Sequence, residues 1–421
     1  MPGPLLPILG PLLPALLIFL GLRRWPIAAG ISGFLSTLLL RFMLAAVPLD
    51  GSPGAGSEHL FAGNEFHFLG RALLLTEPLH SIMLLIFTGA ALLFLLSALW
   101  PQGPDFVPAG LAALSPLSFA LQVEPFTFGA LGFLFTAALV APMIQSGRAM
   151  VTHTAFRYLS MLALSVPPLL VAGWMLDSQQ LALVGAVRQL LALGLLLLLA
   201  GFPFHLWIRP LLAEARPLVA VYVLALLHLA VVTFGWQLLA RYPTIEQGGQ
   251  FNALLVWSGG ASALLAAFLA LGSLRPRRLL AYLILADVGA AILAFSAGTP
   301  GVGATTAILV ARFASLTVAC AGVMLWQPAA TLPKGILSSV NRPRWGRAIF
   351  LFGALSLAGA PLTLGFAGRW AAVSVSGERS FVLGLVLIVA TAGAIMAVIR
   401  AALSGYAEAE PNTQEPHPLF G

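Results

Sequence analysis

Long apolar runs, separated by short polar or proline-rich joints, set the pattern of this chain. Runs of spanning length fall at about 5–22, 26–46, 78–99, 107–123, 126–146, 156–176, 181–212, 217–240, 252–272, 279–298, 303–326, 348–374 and 380–403. Each is near the ~20 residues that a helix needs to cross a hydrocarbon layer. The pattern predicts an all-α polytopic membrane protein with about 13 transmembrane helices in one membrane domain, 1–421. Two of the runs are interrupted. One carries Gly201 and Pro203, the other Gly359 and Pro361, about 158 residues later. Proline removes an N–H and clashes with the preceding turn, so a helix should break at each place. In a bilayer a break is tolerated only where the freed backbone groups are buried in protein or line a wet cavity. Paired breaks in matching places of two halves point to a transporter's ion path. The stretches 107–240 and 252–403 are therefore expected to be two five-helix repeats, each with its fourth helix broken. An odd number of spans per unit makes the copies inverted. The N-terminal helices and an outer loop fill 1–123, and 405–421 forms a short solvated tail.

Composition agrees with that division. Of 421 residues, 60% are hydrophobic and only 8% are charged, far from a soluble domain. The net charge of +7 comes from arginines in short loop groups, which reads as membrane topology and not as a nucleic-acid face. With the N-terminus outside, the inner loops hold Arg23 and Arg24, Arg148 and Arg157, Arg209 and Arg216, then Arg275, Arg277 and Arg278, and finally Lys334, Arg342, Arg344 and Arg347. The outer loops hold Arg71, Arg241 and Arg379, each near acidic residues. That asymmetry puts the C-terminus inside. The apolar N-terminus has no basic leader, so it is expected to be a retained first span. One cysteine, Cys320, allows no disulfide framework and no cysteine metal site. No dinucleotide fingerprint or P-loop appears. The histidines 59, 67 and 80 are spaced too irregularly to predict a metal site.

Ionisable groups inside spans are costly and functional by default. Candidates are Arg41, His80, Arg188, His205, His228, Asp287, Arg312 and Arg369, with His153 at the start of the sixth run. His228 can pass a proton on, or can be a neutral core histidine. Asp287 either pairs with an arginine or relays protons, and Arg312 is a candidate partner. His205 follows the first break and can bond its freed carbonyls. Arg369 follows the second break; as a group that stays protonated it can set the field but cannot carry a proton. Glu214, past the first break, is a further electrostatic candidate.

Three segments resemble a known family. GFPFHLWIRPLLAEARPLVAVYVLALLH (201–228) resembles the "PFH-W-PD-A-EAP-PVSALLH" signature of the antiporter-like, proton-translocating membrane subunits of respiratory complex I. RPRRLLAYLILADVG (275–289) is similar to "KRLLAYSSIAHMG", and LSLAGAPLTLGFAGRW (355–370) to "SLAGIPPLAGFWGK". They come in the family's order and cover roughly 150–400; the first 100 residues match only in hydropathy. The likeness is greatest to the quinone-proximal, subunit N type of NADH–quinone oxidoreductase. Mrp cation/proton antiporters and membrane-bound hydrogenases have related subunits.

The resemblance implies 14 spans and a line of buried charges: a Glu in span five, Lys in seven and eight, and Lys or Glu in twelve. Carried over residue by residue, the span-seven Lys falls on Leu198 and the span-eight Lys on His228. The span-five Glu falls near Ala137, and a second family position four before Arg157–Tyr158 on His153. The His of "SSIAH" reads Asp287, and the span-twelve Lys reads Arg369. The Glu–Lys pair implied for the first half is thus absent, which predicts a degraded first half-channel. The resemblance further implies a bacterial inner or equivalent energy-coupling membrane and other membrane subunits as partners. It puts no cofactor or metal on this chain; quinone, FMN and iron–sulfur clusters are expected in the partners. A non-conducting structural subunit, a cation/proton antiporter subunit and a hydrogenase-linked subunit stay open as alternatives.

Overall fold

The computed structural model describes residues 3–47, 64–68, 70–146, 152–178, 184–246, 249–326 and 342–404. Asp50, Glu58 and His59 of the loop expected outside, Arg148 and Lys334 of the loops expected inside, and the tail 405–421 lie outside the described residues.

The chain is an integral membrane protein built almost wholly of helices. In order they are α1 (Gly3–Leu22), α2 (Pro26–Ala45), α3 (Glu77–Leu99), α4 (Phe106–Gln122), α5 (Thr127–Gln145) and α6 (Thr152–Asp177). Then come α7 (Val184–Leu199), α8 (Ile208–Glu214), α9 (Pro217–Arg241), α10 (Gly249–Leu271), α11 (Pro276–Phe295) and α12 (Gly301–Trp326). The last three are α13 (Arg342–Ala358), α14 (Leu364–Arg379) and α15 (Phe381–Leu403). Among the described residues, eleven spans are long and apolar enough to cross a membrane, counting α7 and α8 as one. The thirteen expected runs differ from these in two places. Helix α4 is apolar but only 17 residues long, and α13 and α14 are two short pieces on either side of the second break.

Burial sorts the helices into centre and rim. The most apolar window of α9 is 100% buried and that of α11 is 89% buried, against 28% for α1 and 33% for α2 and α15. A helix that is apolar all round belongs in the interior, so α9 and α11 form the middle of the bundle. Helix α11 packs against α10, α12, α8 and α14, and α9 against α12. Small residues bring α12 and α13 close together. A Cβ on Gly353 would lie 2.4 Å from the Ala319 nitrogen, and one on Gly322 would lie 2.3 Å from the Phe350 nitrogen. In lipid, where apolar burial gives helices little reason to associate, such close contact supplies the attraction.

The loop between α2 and α3 ends in regular structure. Strands β1 (Glu65–Phe68) and β2 (Arg71–Leu74) pair antiparallel, Glu65 opposite Leu74 and Phe68 opposite Arg71. Gly70 between them takes φ 72°, the left-handed turn conformation glycine tolerates. Strand β3 (Val123–Glu124), at the end of α4, adds to β2. Arg71 covers the ring of Phe128, and Arg241 at the end of α9 pairs with Glu124. The sheet ties the ends of α3, α4, α5 and α9 together on one side of the bundle.

Candidate functional site

Both expected breaks are present, and both end their first helix in the same way. After α7, Ala200 turns left-handed at φ 56° and the Gly201 N–H donates to the Leu196 carbonyl, 2.9 Å. After α13, Gly359 takes φ 82°, its N–H donates to Ser356, and the Ala360 N–H donates to Leu355, both 3.0 Å. A left-handed residue followed by a bond reaching back five positions is the Schellman way of ending a helix.

What satisfies the freed backbone differs. At the first break Phe202 is held by two hydroxyls one turn apart on α10. Its N–H donates to Ser262 Oγ, 2.9 Å, and its carbonyl accepts from Ser258 Oγ, 2.7 Å. A short 3₁₀ turn, Phe204–Trp207, then leads into α8. At the second break Thr363 Oγ1 donates to the Ala360 carbonyl, 2.6 Å, and the Gly365 N–H donates to Ser356 Oγ, 3.2 Å. Ser356 also shares a 2.7 Å bond with Ser315 of α12. Arg369, one turn and a half into α14, reaches back and donates Nη2 to the Leu357 carbonyl, 3.2 Å. The freed carbonyls at the end of α13 carry the negative end of its dipole, which favours a cation there. The tips of both turns reach the surface of the chain: Phe202 is 39% exposed and Leu362 fully so.

From Arg369 a polar network runs through the centre of the bundle. Arg369 Nη2 also donates to Asp287 Oδ1, 3.1 Å, and Nη1 to the Ala286 carbonyl, 3.2 Å. Asp287 Oδ2 accepts from Arg312 Nε, 2.5 Å. Arg312 Nη1 then meets His228 Nδ1 at 2.9 Å and the Leu224 carbonyl at 3.3 Å. All four residues are buried, none above 5% exposed. Four elements supply them: α9, α11, α12 and the start of α14. Two guanidiniums against one carboxylate leave a positive excess, with the end of α13 as a partial counterweight. Pairing, one of the two readings left open for Asp287, is therefore what the geometry shows, with two arginines instead of one.

A π-turn, Tyr222–Leu227, interrupts α9 immediately before His228. Such wide turns inside α-helices are frequent at functional sites. Here the turn contains Leu224, whose carbonyl Arg312 reaches. Beyond His228 the contacts are aromatic. Its ring meets Trp207 edge-on, centroids 6.3 Å apart, and Trp207 meets Tyr158 of α6 at 5.1 Å. Among the described residues His228 Nε2, Trp207 Nε1, Tyr158 Oη and Arg312 Nη2 are buried polar atoms without a hydrogen-bond partner.

The other expected residues stand apart. His205 is half-buried, stacked on Phe202 at 5.8 Å, and its Nδ1 is buried without a partner. His153 is exposed at the start of α6. Glu214 accepts a hydrogen bond from Thr154 Oγ1 at the end of α8. His80 bonds the Leu44 carbonyl, 2.9 Å, Arg188 the Thr244 carbonyl, 2.6 Å, and Arg41 Thr88 Oγ1, 3.3 Å, so these three join neighbouring helices and loops. His67 pairs with Glu65 in the hairpin. Leu198 and Ala137 are buried in the apolar core. The serines at 258, 262, 315 and 356 escaped the sequence reading. Their signal was the i,i+4 pair Ser258 and Ser262 within a small-residue stretch, which reads equally well as close helix packing.

Residues 126–395 match the family described as "NADH:quinone oxidoreductase/Mrp antiporter, TM". The chain is 28% identical over 298 residues to NADH-quinone oxidoreductase subunit N of Methylovorus glucosotrophus, covering 64% of this chain and 58% of that protein. It is 31% identical over 186 residues to the same-named subunit of Rhizorhabdus wittichii, covering 41% and 37%. The chain thus spans less than two thirds of the length of either relative. Its fold is similar to a chain of the Mrp complex from Dietzia sp. DQ12-45-1b, with TM-score 0.73, 17% identity and 97% of this chain and 81% of that one covered. It is also similar to one in Thermus thermophilus respiratory complex I, with TM-score 0.74, 17% identity and 99% and 92% covered. A third likeness is to a chain of a membrane-bound sulfane sulfur reductase, an archaeal respiratory membrane complex, with TM-score 0.77, 16% identity and 99% and 90% covered.

Proposed function

The chain belongs to the NADH:quinone oxidoreductase/Mrp antiporter transmembrane family, and from that premise we propose that it is a membrane-arm subunit of a redox-driven proton translocase of the complex I type. The observation that carries this reading is the buried chain Leu357–Arg369–Asp287–Arg312–His228, which joins the second break to the middle of the bundle. Buried ionisable groups in a membrane are kept at a cost that transport explains better than stability. The proposed mechanism is electrostatic. Redox chemistry in partner subunits shifts the charge balance along this network, and protons move between hydrated half-channels on either side. His228 is the proposed carrier, with His205 and His153 as further candidates toward the surfaces. Asp287 tunes the site, Arg312 and Arg369 are fixed counter-charges, and Glu214 is a further electrostatic group. Quinone, flavin and iron–sulfur clusters belong to partner subunits in this reading. The membrane is a bacterial inner membrane or its equivalent, with the N-terminus outside and the C-terminus inside. The two halves are inverted copies, and the first has lost its own loading pair, since Leu198 and Ala137 stand where the resemblance puts Lys and Glu.

The test is proton flux in vesicles holding the complete assembly. His228→Ala with Asp287→Asn is expected to reduce redox-driven flux to the rate of the uncoupled control. Flux that stays at the wild-type level would overturn the reading. It would favour a structural subunit instead, an alternative that the apolar setting of Leu198 and Ala137 already supports. The Mrp likeness supports a third reading, cation/proton exchange, which sodium-dependent flux without redox turnover would reveal.

A further inference from the structure

The contact between Arg312 and His228 fixes more than a position. Arginine presents five N–H groups and no acceptor. At 2.9 Å from Nδ1, Arg312 Nη1 must therefore donate, and Nδ1 must accept. In neutral imidazole one nitrogen accepts and the other carries the proton. We propose that Arg312 is a positioning residue that holds His228 in the Nε2–H form and closes its Nδ1 side to protons. Which nitrogen bears the proton is set by the bond made at the other, as for the histidine ligands of metals.

The surroundings leave little freedom. Arg312 cannot turn its fork away at will, because Nε is held by Asp287 Oδ2. Asp287 in turn is held by Arg369 through Oδ1. The guanidinium is planar and rigid, so Nη1 moves only with the whole group. Nη1 carries two N–H groups, and among the described residues it donates one to His228 and the other to the Leu224 carbonyl at 3.3 Å, supplied by the π-turn. The Nδ1 side is closed while both bonds are made and opens only when Nη1 draws back from His228.

The consequence for transport rests on the proton-translocating reading. A histidine relays by taking a proton at one nitrogen and releasing one from the other. Here uptake at Nδ1 from a water-borne proton and release of the Nε2 proton to a water reaching the opposite face would pass one proton through the ring and leave the Nδ1–H form. That exchange needs Arg312 Nη1 to draw back from Nδ1 first. The Nε2 face, beside Trp207, has no polar partner to hold its proton among the described residues. The latch therefore sits on one side of His228 only, the side that faces the charged network.

The tautomer can be read without transport. The full chain, labelled with ¹⁵N-histidine and embedded in lipid bilayers, gives ring-nitrogen signals by solid-state NMR; subtracting the His228→Gln spectrum isolates His228. Wild type is expected to show a non-protonated Nδ1 and a protonated Nε2, favoured roughly tenfold or more, the ratio one charge-assisted hydrogen bond of ordinary strength sets. Arg312→Met should bring the two forms toward equal population. Arg312→Lys should do the same, because a single ammonium cannot hold Asp287 and His228 as a fork does. Arg369→Met, which loosens Asp287 but leaves the Arg312–His228 bond, should shift the ratio less than either Arg312 variant. A wild-type His228 with a protonated Nδ1, or a ratio indifferent to both Arg312 variants, would overturn the inference. The wild-type spectrum decides even where a variant fails to fold. A correct tautomer with flux unaffected by His228→Ala would count against the transport reading and leave this one standing.

Discussion

The two broken helices share a turn and differ in what lies on it. Each first helix ends in a left-handed residue and a bond to the carbonyl five positions back, Gly201 to Leu196 and Ala360 to Leu355. At the first break neutral hydroxyls of Ser258 and Ser262 hold the open peptide. At the second an arginine lies across the turn and connects it to Asp287. One break is thus a satisfied kink in an apolar setting, and the other is the end of a charged network. The same backbone device can serve packing or electrostatics, and the side chain laid over it decides which.

The largest expected effect comes from the charged side. Asp287→Asn removes the single carboxylate that two buried guanidiniums share. Breaking a buried pair costs about 3–5 kcal/mol because it leaves uncompensated charge. Equilibrium unfolding in mixed micelles should record that loss. Replacing Asp287, Arg312 and Arg369 together with apolar residues of similar volume should return most of it, since whole buried ion clusters are often no more stable than their apolar equivalents. Failure of the triple variant to recover would mean that the network holds the fold and not only the chemistry.

Leu198, where the resemblance puts a lysine, should respond as packing. Leu198 is 2% exposed in the apolar core. Leu198→Ala is expected to cost about 3 kcal/mol through the cavity it leaves. Flux per folded complex should stay unchanged, whereas His228→Ala is expected to abolish it. A loss of flux from Leu198→Ala beyond the loss of folded protein would give the first half a role in conduction. Next in size is the serine pair. Ser258→Ala with Ser262→Ala strips both partners from the Phe202 peptide, and each unsatisfied buried group costs about 1–3 kcal/mol. Phe202 is partly exposed, so the lower end of that range applies. Hydrogen exchange at 200–206 should quicken while the network around Asp287 keeps its protection.

Much of this arrangement was legible in the residues. Apolar runs located most of the spans, and glycine two residues before proline located both breaks. Charge inside apolar runs picked out His228, Asp287, Arg312 and Arg369, the four side chains the structure brings together. What stayed hidden was what depends on rotation about helix axes. His205 and His153 lie in equally suggestive places yet stand outside the network, because periodicity does not say which way one residue points relative to a distant helix. The π-turn at 222–227 has no signature in YVLALL, which reads as ordinary helix. The hairpin at 65–74 was hidden by its position in a loop whose polar start dominates the reading. The partnership of Ser315 with Ser356 needed the close approach of α12 and α13.

The smallest expected effect concerns the left-handed residue itself, and it explains a difference between the breaks. Alanine at φ 56° carries a cost of roughly 1–2 kcal/mol that glycine avoids. The first break nevertheless has Ala200, where the second has Gly359. Beside Gly359 lies the stem of Arg369. A Cβ built there would stand 2.9 Å from both Arg369 Cβ and Cγ, closer than carbon atoms approach. Glycine at the second break is thus required twice, by conformation and by the arginine crossing the turn. At the first break only conformation asks for it. Ala200→Gly should therefore stabilise, by less than about 1 kcal/mol once the extra freedom of glycine in the unfolded chain is subtracted. Gly359→Ala should destabilise by more than Ala200→Gly gains, and should also displace Arg369 from Leu357 and Asp287. Paired unfolding curves of the two variants measure the asymmetry directly. Equal and opposite changes would mean that Arg369 yields freely, and that the charge over the second break is not held in place by the turn beneath it.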